Sequence, residues 1–358
     1  MSPLEQRLAA IADPAAGRTL GETGARIRAA VADGRAAVAI TLGYPAAGWR
    51  EGLTQSVQDA VAAEGLALAS LELQHRIDAH APQGTLAPLP RIRNVIAVGS
   101  GKGGVGKSTT AVNLALALAQ EGARVGVLDA DVYGPSIPTM LGLAGRPDSP
   151  DGKSIEPMRA HGVDAMSIGL MVEQDTPMIW RGPMATSALT QLLEQTLWGS
   201  TGQLDYLIVD LPPGTGDIQL TLAQKIPVAG AVVVTTPQDV ATLDARKALR
   251  MFEKVEVPVL GVIENMAVHV CSNCGHSEHL FGEGGGQRMA TQYGVALLGS
   301  LPLELGIREH GDAGVPIVTA EPQSAASHAY RATARRLAAE LAGRIQVPRP
   351  LSVSLVGQ

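Results

Sequence analysis

The residues with the clearest chemical potential form a glycine-rich run that ends in a lysine and a hydroxyl. The run reads Gly101-Lys102-Gly103-Gly104-Val105-Gly106-Lys107-Ser108, and Thr109 follows it. Glycines let backbone N–H groups converge on an anion, because a side chain would block that approach. Lys107 can neutralise the β- and γ-phosphates of a nucleotide, and the Ser108 hydroxyl can coordinate Mg²⁺. The run therefore predicts a phosphate-binding loop for ATP.

Such a loop must be held between a strand and a helix, and the sequence supplies both. An apolar run at 95–98 precedes the loop, and apolar residues within 108–120 follow at helical spacing. Further short apolar runs lie at 125–128, 206–209, 231–234 and 259–263. Apolar strands separated by helices indicate a parallel sheet covered on both faces. We expect an α/β fold with a doubly wound, mostly parallel sheet and a small N-terminal α/β domain.

Composition divides the chain into four segments. Residues 1–80 are rich in alanine and contain a predicted strand at 37–42 and a predicted helix at 51–63. Residues 81–93 contain three prolines and are predicted to be a linker. We assign residues 94–347, which end in a helix predicted at 324–341, to the ATPase domain and residues 348–358 to a loose tail.

Acidic residues stand at the ends of two predicted strands, where ligands of open α/β sheets bind. Asp129 and Asp131 follow the run at 125–128, and Asp210 follows the run at 206–209. We interpret Asp210 as the Walker B acid, which holds Mg²⁺ through water. The sequence Pro-Pro-Gly-Thr-Gly-Asp at 212–217 predicts a switch that senses the γ-phosphate. Strand-end caps are the alternative, and it applies to Asp129 more than to Asp210.

The two cysteines of the chain, Cys271 and Cys274, form a C-x-x-C pair. Such a pair can be redox-active, bind zinc or hold an iron–sulfur cluster. Structural zinc and most clusters need four ligands, so His276 and His279 could complete a zinc site within one chain, although their spacing is unusually tight. Two copies of the pair across a two-fold axis would instead supply four thiolates, which suits a bridging 4Fe–4S cluster or a bridging zinc. Solvated loop residues are the alternative for the histidines.

Many short runs, in one order, resemble those of a single family. Lys-Gly-Gly-Val-Gly-Lys-Ser-Thr at 102–109 resembles the deviant Walker A ATPases. Over residues 94–320 the chain resembles the Mrp-type (ApbC-type) iron–sulfur cluster carrier ATPases, at 129–136, 180–184, 204–217, 235–241, 264–266, 281–286, 301–303 and 311–316. The N-terminal block resembles, more faintly, a domain of iron–sulfur assembly factors. That domain often carries a cysteine where this chain has none, at 43–49, so we expect no thiol chemistry there.

This resemblance implies roles for particular residues. It implies a homodimer with two ATP molecules, in which Lys102 reaches the phosphates of the partner chain. It implies that Asp131 orients water or acts as a base, and that Asn265 contacts adenine, for which a turn asparagine is the alternative. It also implies that Cys271 and Cys274 of both chains hold the cluster.

Composition and charge limit the partners and the compartment. Hydrophobic residues make up 46% of the chain and aromatics 3%, and its 41 glycines suit an α/β protein with many tight turns. A formal net charge of −6 argues against a general nucleic-acid binder. No run approaches the roughly 20 apolar residues that span a bilayer, and the first residues lack a secretory pattern. We expect a cytoplasmic protein with no nucleic-acid or membrane partner.

The expected function is to bind iron–sulfur clusters and transfer them to apoproteins, with ATP hydrolysis gating the carrier dimer. Expected partners are apo iron–sulfur proteins and cluster assembly factors. Three alternatives are a positional, partitioning-type ATPase, a zinc-bridged NTPase scaffold and an electron-donating reductase. The proline-broken end at 347–358 lacks the basic amphipathic character of membrane-targeting members of the first class. The close cysteine pair differs from the wider ligand spacing of the reductases.

Overall fold

The computed structural model describes residues 1–171, 182–271 and 273–344. The tail predicted at 348–358 lies outside the described residues. So do Trp180 and Arg181 of the family-like run at 180–184, and Ser272 between the cysteines. No helix in the described part of the chain is long and apolar enough to cross a bilayer.

Strands and helices alternate through most of the described residues. The strands are β1 (Ala12–Asp13), β2 (Arg18–Thr19), β3 (Arg26–Ala32), β4 (Arg35–Leu42), β5 (Ala67–His75), β6 (Ile92–Ser100), β7 (Val125–Asp129), β8 (Met158–Ala160), β9 (Val163–Ser167), β10 (Leu204–Asp210), β11 (Gly230–Thr235), β12 (Val259–Glu264), β13 (His269–Val270), β14 (Ser277–Glu278) and β15 (Ala296–Ser300). The α-helices are α1 (Pro3–Ala9), α2 (Arg50–Ala63), α3 (Lys107–Gln120), α4 (Ile137–Met140), α5 (Gly182–Gln195), α6 (Asp217–Lys225), α7 (Asp239–Lys254), α8 (Gly285–Tyr293), α9 (Leu305–Asp312), α10 (Ile317–Ala320) and α11 (Ala325–Ala342).

An eight-stranded sheet forms the centre of the larger unit, in the order β15-β12-β11-β6-β10-β7-β9-β8. All neighbours pair in parallel except β8 and β9, which are antiparallel. The exception is a hairpin whose two turn residues, His161 and Gly162, both have positive φ, as a tight primed turn requires. Helices α3 and α11 cover one face, whereas α5, α6 and α7 cover the other. The predicted doubly wound, mostly parallel sheet is confirmed.

The N-terminal unit is a three-stranded sheet in the order β3-β4-β5, flanked by α1 and α2. Its buried side chains, such as Leu8, Leu53 and Val57, belong to the same apolar cluster as those of α3 and α11. The small N-terminal α/β domain is therefore confirmed, and it packs against the larger unit.

Buried charged groups cross the boundary between the two units. Glu121, just after α3, accepts hydrogen bonds from the Gly48 N–H (2.9 Å) and from Nε of Arg331 (3.0 Å). Arg335 of α11 lies 3.4 Å from Oδ2 of Asp13, an ion-pair contact without hydrogen-bond alignment of Nε, and 3.9 Å from Oε2 of Glu121. Both carboxylates are almost fully buried, so these contacts hold the N-terminal unit against α3 and α11.

Candidate functional site

The phosphate-binding loop occupies residues 101–106, between the end of β6 and the start of α3. Gly104 and Gly106 have φ of +79° and +78°, a region that side chains disfavour. A Cβ on Gly101 would lie 2.0 Å from the backbone carbonyl carbon of Asp244, and one on Gly106 would lie 2.2 Å from Nδ2 of Asn265. Close packing therefore requires glycine at both ends of the loop, and α3 points its N-terminus at the loop.

Lys107 and Asp210 form a buried ion pair at the centre of the site. Nζ of Lys107 donates to Oδ1 of Asp210 at 2.5 Å and to Oγ of Ser108 at 3.2 Å. Burial raises the pKa of Asp210, and the Lys107 charge acts in the opposite direction. No described residue hydrogen-bonds with the buried Oδ2 of Asp210. One carboxylate oxygen and the Ser108 hydroxyl are thus oxygen ligands of the kind that Mg²⁺ prefers.

Asp129 is a buried structural acid beside this pair. It accepts the N–H groups of Asp131 (3.1 Å) and Ile137 (3.2 Å) and the hydroxyl of Ser167 (3.1 Å). Burial, with the neighbouring Asp210 charge, raises the pKa of Asp129 to about 7. These contacts fix the turn after β7.

Asp131 is only partly buried and faces a cleft of about 1050 Å³. The same cleft is lined by Pro212, Pro213 and Gly216 from the predicted switch and by Gln219 from α6. The negative charge of Asp131 acts to raise the pKa of Asp210. The structure therefore brings Asp131, the switch and the Walker B position together.

Asn265 contacts the loop from the opposite side. It follows β12, is buried, and its Nδ2 donates to the Val105 carbonyl at 2.9 Å. A smaller cavity of about 180 Å³ lies beside it, lined by Gly106, Thr109 and Tyr330 among others. Asn265 thus lies at the wall of a cavity next to the phosphate-binding loop.

Lys102 is half-buried near the start of the loop, and its carbonyl accepts the Ser100 hydroxyl at 2.9 Å. Its ammonium forms no ion pair or hydrogen bond with the described residues. Lys102 thus differs from Lys107, whose ammonium is paired with Asp210.

The cysteine pair lies in an exposed hairpin formed by β13 and β14. The Cys271 N–H donates to the His276 carbonyl, and the Gly275 N–H donates to the Cys271 carbonyl, both at 2.9 Å. N–H groups of Cys274 and Asn273 point at the Cys271 sulfur and lower the pKa of this thiol. The turn therefore favours a thiolate, which is the form that binds metals.

The histidines near this hairpin point to other partners. Nδ1 of His279 lies 2.7 Å from the Ala267 carbonyl, and Nε2 of His276 lies 3.6 Å from Oε1 of Glu278. Within residues 1–171, 182–271 and 273–344, no group of three or more His, Cys, Asp or Glu side chains could hold a metal ion. This arrangement does not favour the alternative of a Cys₂His₂ zinc site within one chain, because the two histidines and the two cysteines do not form one group of ligands among the described residues.

Comparisons with known proteins agree with this geometry. The family described as NUBPL iron-transfer P-loop NTPase matches residues 91–338, and the family described as iron–sulfur cluster assembly protein matches residues 3–66. The iron–sulfur cluster carrier protein of Pseudomonas fragi is 59% identical over 75% of this chain and 93% of its own length. The iron–sulfur cluster transfer protein NUBPL of Mus musculus is 51% identical over 68% of this chain and 76% of its own length.

This chain belongs to the NUBPL-type family of iron-transfer P-loop NTPases. A nucleotide-binding protein of Archaeoglobus fulgidus, solved in complex with ADP, is 39% identical and covers 63% of this chain and 87% of its own, with a TM-score of 0.56. The cell division ATPase MinD of Pyrococcus furiosus is 21% identical, covers 68% of this chain and 98% of its own, and has a TM-score of 0.51. The latter shares the fold alone.

Family membership confirms the predicted resemblance to the Mrp-type carriers. Two relatives are named as an iron–sulfur cluster carrier and an iron–sulfur cluster transfer protein, whereas the positional ATPase MinD shares the fold alone. Sequence reasoning missed Gln219, which lines the cleft with Asp131. It lies two residues beyond the predicted switch at 212–217, so extending that run by half a helical turn would have included it.

Proposed function

We propose that this NUBPL-type NTPase binds an iron–sulfur cluster as cargo and delivers it to apoproteins under the control of ATP. The observation that carries the proposal is the exposed Cys271 and Cys274 hairpin, with two sulfur ligands in each chain and no further ligand among the described residues. A cargo must be reachable by an acceptor, and an exposed turn satisfies that need better than a buried site would.

Four thiolates require two copies of the hairpin. The proposal therefore includes a homodimer in which one 4Fe–4S cluster bridges Cys271 and Cys274 of both chains. The Lys102 ammonium has no partner among the described residues, which is consistent with such a dimer, because this charge would be available for the phosphates bound to the partner.

ATP with Mg²⁺ fits the residues of the nucleotide site. The loop at 101–106 and Lys107 would hold the phosphates, whereas Ser108 and Asp210 would hold the metal ion, Asp210 through water. Bound Mg²⁺ would supply positive charge that stabilises the developing charge on the γ-phosphate. Asp131 would orient the attacking water, and Asn265 would contact adenine.

A short connection joins the nucleotide to the cysteines. Asn265 touches the phosphate-binding loop through Val105, and Cys271 follows six residues later, so their Cα atoms lie within roughly 20 Å of each other. The Ala267 N–H donates to the Leu301 carbonyl at 2.9 Å, which fixes this connection to the sheet. Rearrangement of the loop around ATP can therefore displace the hairpin and bias cluster binding.

We further propose that the chain is organised as an N-terminal domain at 1–80, a linker at 81–93, an ATPase and cluster domain at 94–347, and a tail at 348–358. Gln83 within the linker donates to the Ala223 and Ile226 carbonyls at 2.7 and 2.8 Å. These contacts fasten the linker to α6.

Iron and sulfide analysis after anaerobic reconstitution tests the proposed function. The wild type should bind about two iron and two sulfide ions per chain, and cluster transfer should restore the absorbance of an apo-ferredoxin. Cys271→Ala and Cys274→Ala should bind almost none, while Ser277→Ala in the same hairpin should match the wild type. Zinc in place of iron after anaerobic purification, or iron binding that persists without both thiols, would refute the carrier proposal.

A further inference from the structure

Gln219 is a buried polar residue without a described partner. It lies in the first turn of α6, directly after the switch, and its side chain is 2% exposed. Neither its Nε2 nor its Oε1 hydrogen-bonds with any described residue. Buried amides in folded proteins are almost always paired, so this one requires an explanation.

Gln219 lines the same cleft as Pro212, Pro213 and Gly216 of the switch, and its side chain lies beside the strand that enters the phosphate-binding loop. A Cβ on Gly99 of β6 would lie 3.4 Å from Nε2 of Gln219 and 2.9 Å from the ring of Phe252. Hydrogen bonds hold the switch, and the residue before it, to the same strand on both sides of Gly99. The Leu211 N–H donates to the Val98 carbonyl at 3.0 Å, and the Gly214 N–H donates to the Ser100 carbonyl at 3.1 Å. Gln219 therefore lies where the two phosphate-sensing segments meet.

The backbone of the switch, which lines the same cleft, is a source of hydrogen-bond partners that can move. Residues 213, 215, 216 and 217 are exposed, and Gly214 has a φ of +96°, so this segment combines solvent access with glycine freedom. An unpaired buried amide group shifts a conformational equilibrium by about ten- to a hundredfold toward any arrangement that pairs it. A second arrangement of the switch that bonds to Gln219 would be favoured by that factor.

We propose that Gln219 is a positioning residue of the ATP switch, and that its amide pairs with the backbone of residues 212–216 when the switch closes on the γ-phosphate. A ligand shifts an equilibrium only through contacts that differ between two states, and the amide provides such a contact. The inference rests on the proposed ATP-gated function and names the element that distinguishes ATP from ADP. Gln219 acts through the switch and does not touch the nucleotide.

Gln219→Met tests this role, because methionine keeps the unbranched shape and removes both polar atoms. Gln224→Met is the matched control, since Gln224 lies on the same helix and is exposed. Binding of ADP and of a slowly hydrolysed ATP analogue would be measured by calorimetry, and thermal midpoints without nucleotide by fluorescence. Gln219→Leu provides a second apolar replacement if the first folds poorly.

Removal of the amide should lower the preference for the ATP analogue over ADP by about tenfold or more. The affinity for ADP should stay within about twofold of the wild-type value. The thermal midpoint without nucleotide should equal or exceed that of the wild type. Gln224→Met should behave as the wild type. Unchanged discrimination between the two nucleotides would overturn the proposal. An equal loss of affinity for both nucleotides would also overturn it, because that result would indicate a purely structural or permanently hydrated amide. Cluster loading on Cys271 and Cys274 is measured separately, so failure of the carrier function would be recognised independently of this result.

Discussion

Replacing Arg335 with methionine should loosen the N-terminal domain from the ATPase domain. The Arg335 guanidinium lies between two buried carboxylates of the interface, those of Asp13 and Glu121, and 6.0 Å from the ring of Trp49. Methionine preserves most of the aliphatic packing and removes the charge. Both carboxylates would then lose a countercharge while they remain buried.

The magnitude follows from what each carboxylate keeps. Loss of one partner of a buried ion pair costs about 3–5 kcal/mol when the other charge is left uncompensated. Asp13 retains hydrogen bonds from the Ala15 and Ala16 N–H groups and from the Tyr44 hydroxyl, and Glu121 retains Arg331. Since the Arg335 contacts also lack hydrogen-bond alignment, we expect a loss of about 2 kcal/mol in the free energy of unfolding.

Urea unfolding followed by tryptophan fluorescence would measure this loss, because Trp49 is buried at the interface. Arg28→Met serves as the control, since Arg28 lies exposed on β3 of the same domain. Protease cleavage within the segment between β5 and β6 should be faster in Arg335→Met and unchanged in the control. A midpoint and a cleavage rate equal to those of the wild type would show that the network does not hold the domains together.

Four further substitutions test the nucleotide site, and one of them is a control. Gly101→Ala places a Cβ 2.0 Å from the Asp244 backbone, so it should abolish the ATP binding that calorimetry measures. Gly103→Ala is the control, because no atom lies within 4 Å of its Cβ, and it should keep the thermal midpoint near that of the wild type. Burial raises the pKa of Asp129 in the native state to about 7, from an ordinary value of 3.8. The stabilising contribution of this group is therefore complete below about pH 4 and is lost as pH rises to 7. Asp129→Asn should remove this part of the pH dependence of nucleotide-free stability, and an unchanged slope would contradict the raised pKa. Lys102→Ala should retain ATP binding but lose ATP hydrolysis and the ATP-dependent dimerisation that light scattering measures. A dimer that forms as in the wild type would exclude the proposed role of Lys102.

The sequence by itself determined the elements that depend on local pattern. Apolar runs such as 95–98 and 206–209 became neighbouring parallel strands β6 and β10, because unbroken apolar segments are stable only when both faces are covered. The spacing from Gly101 to Ser108 specified the phosphate-binding loop for a similar reason, since glycine conformation and the start of a helix are local properties. The cysteine pair was equally visible, because two residues of separation bring both sulfurs to one turn.

Contacts between distant residues were decided only by the tertiary structure. Nothing in the spacing of His276 and His279 shows that one faces the Ala267 carbonyl and the other Glu278, or that neither joins a group of three or more metal-ligating side chains among the described residues. Likewise, Arg335 and Asp13 are more than three hundred residues apart, and only packing of α11 on the N-terminal unit makes them partners. Burial has the same origin: Gln219 is an ordinary helical glutamine in the sequence, and its amide is buried only because α6 packs beside β6.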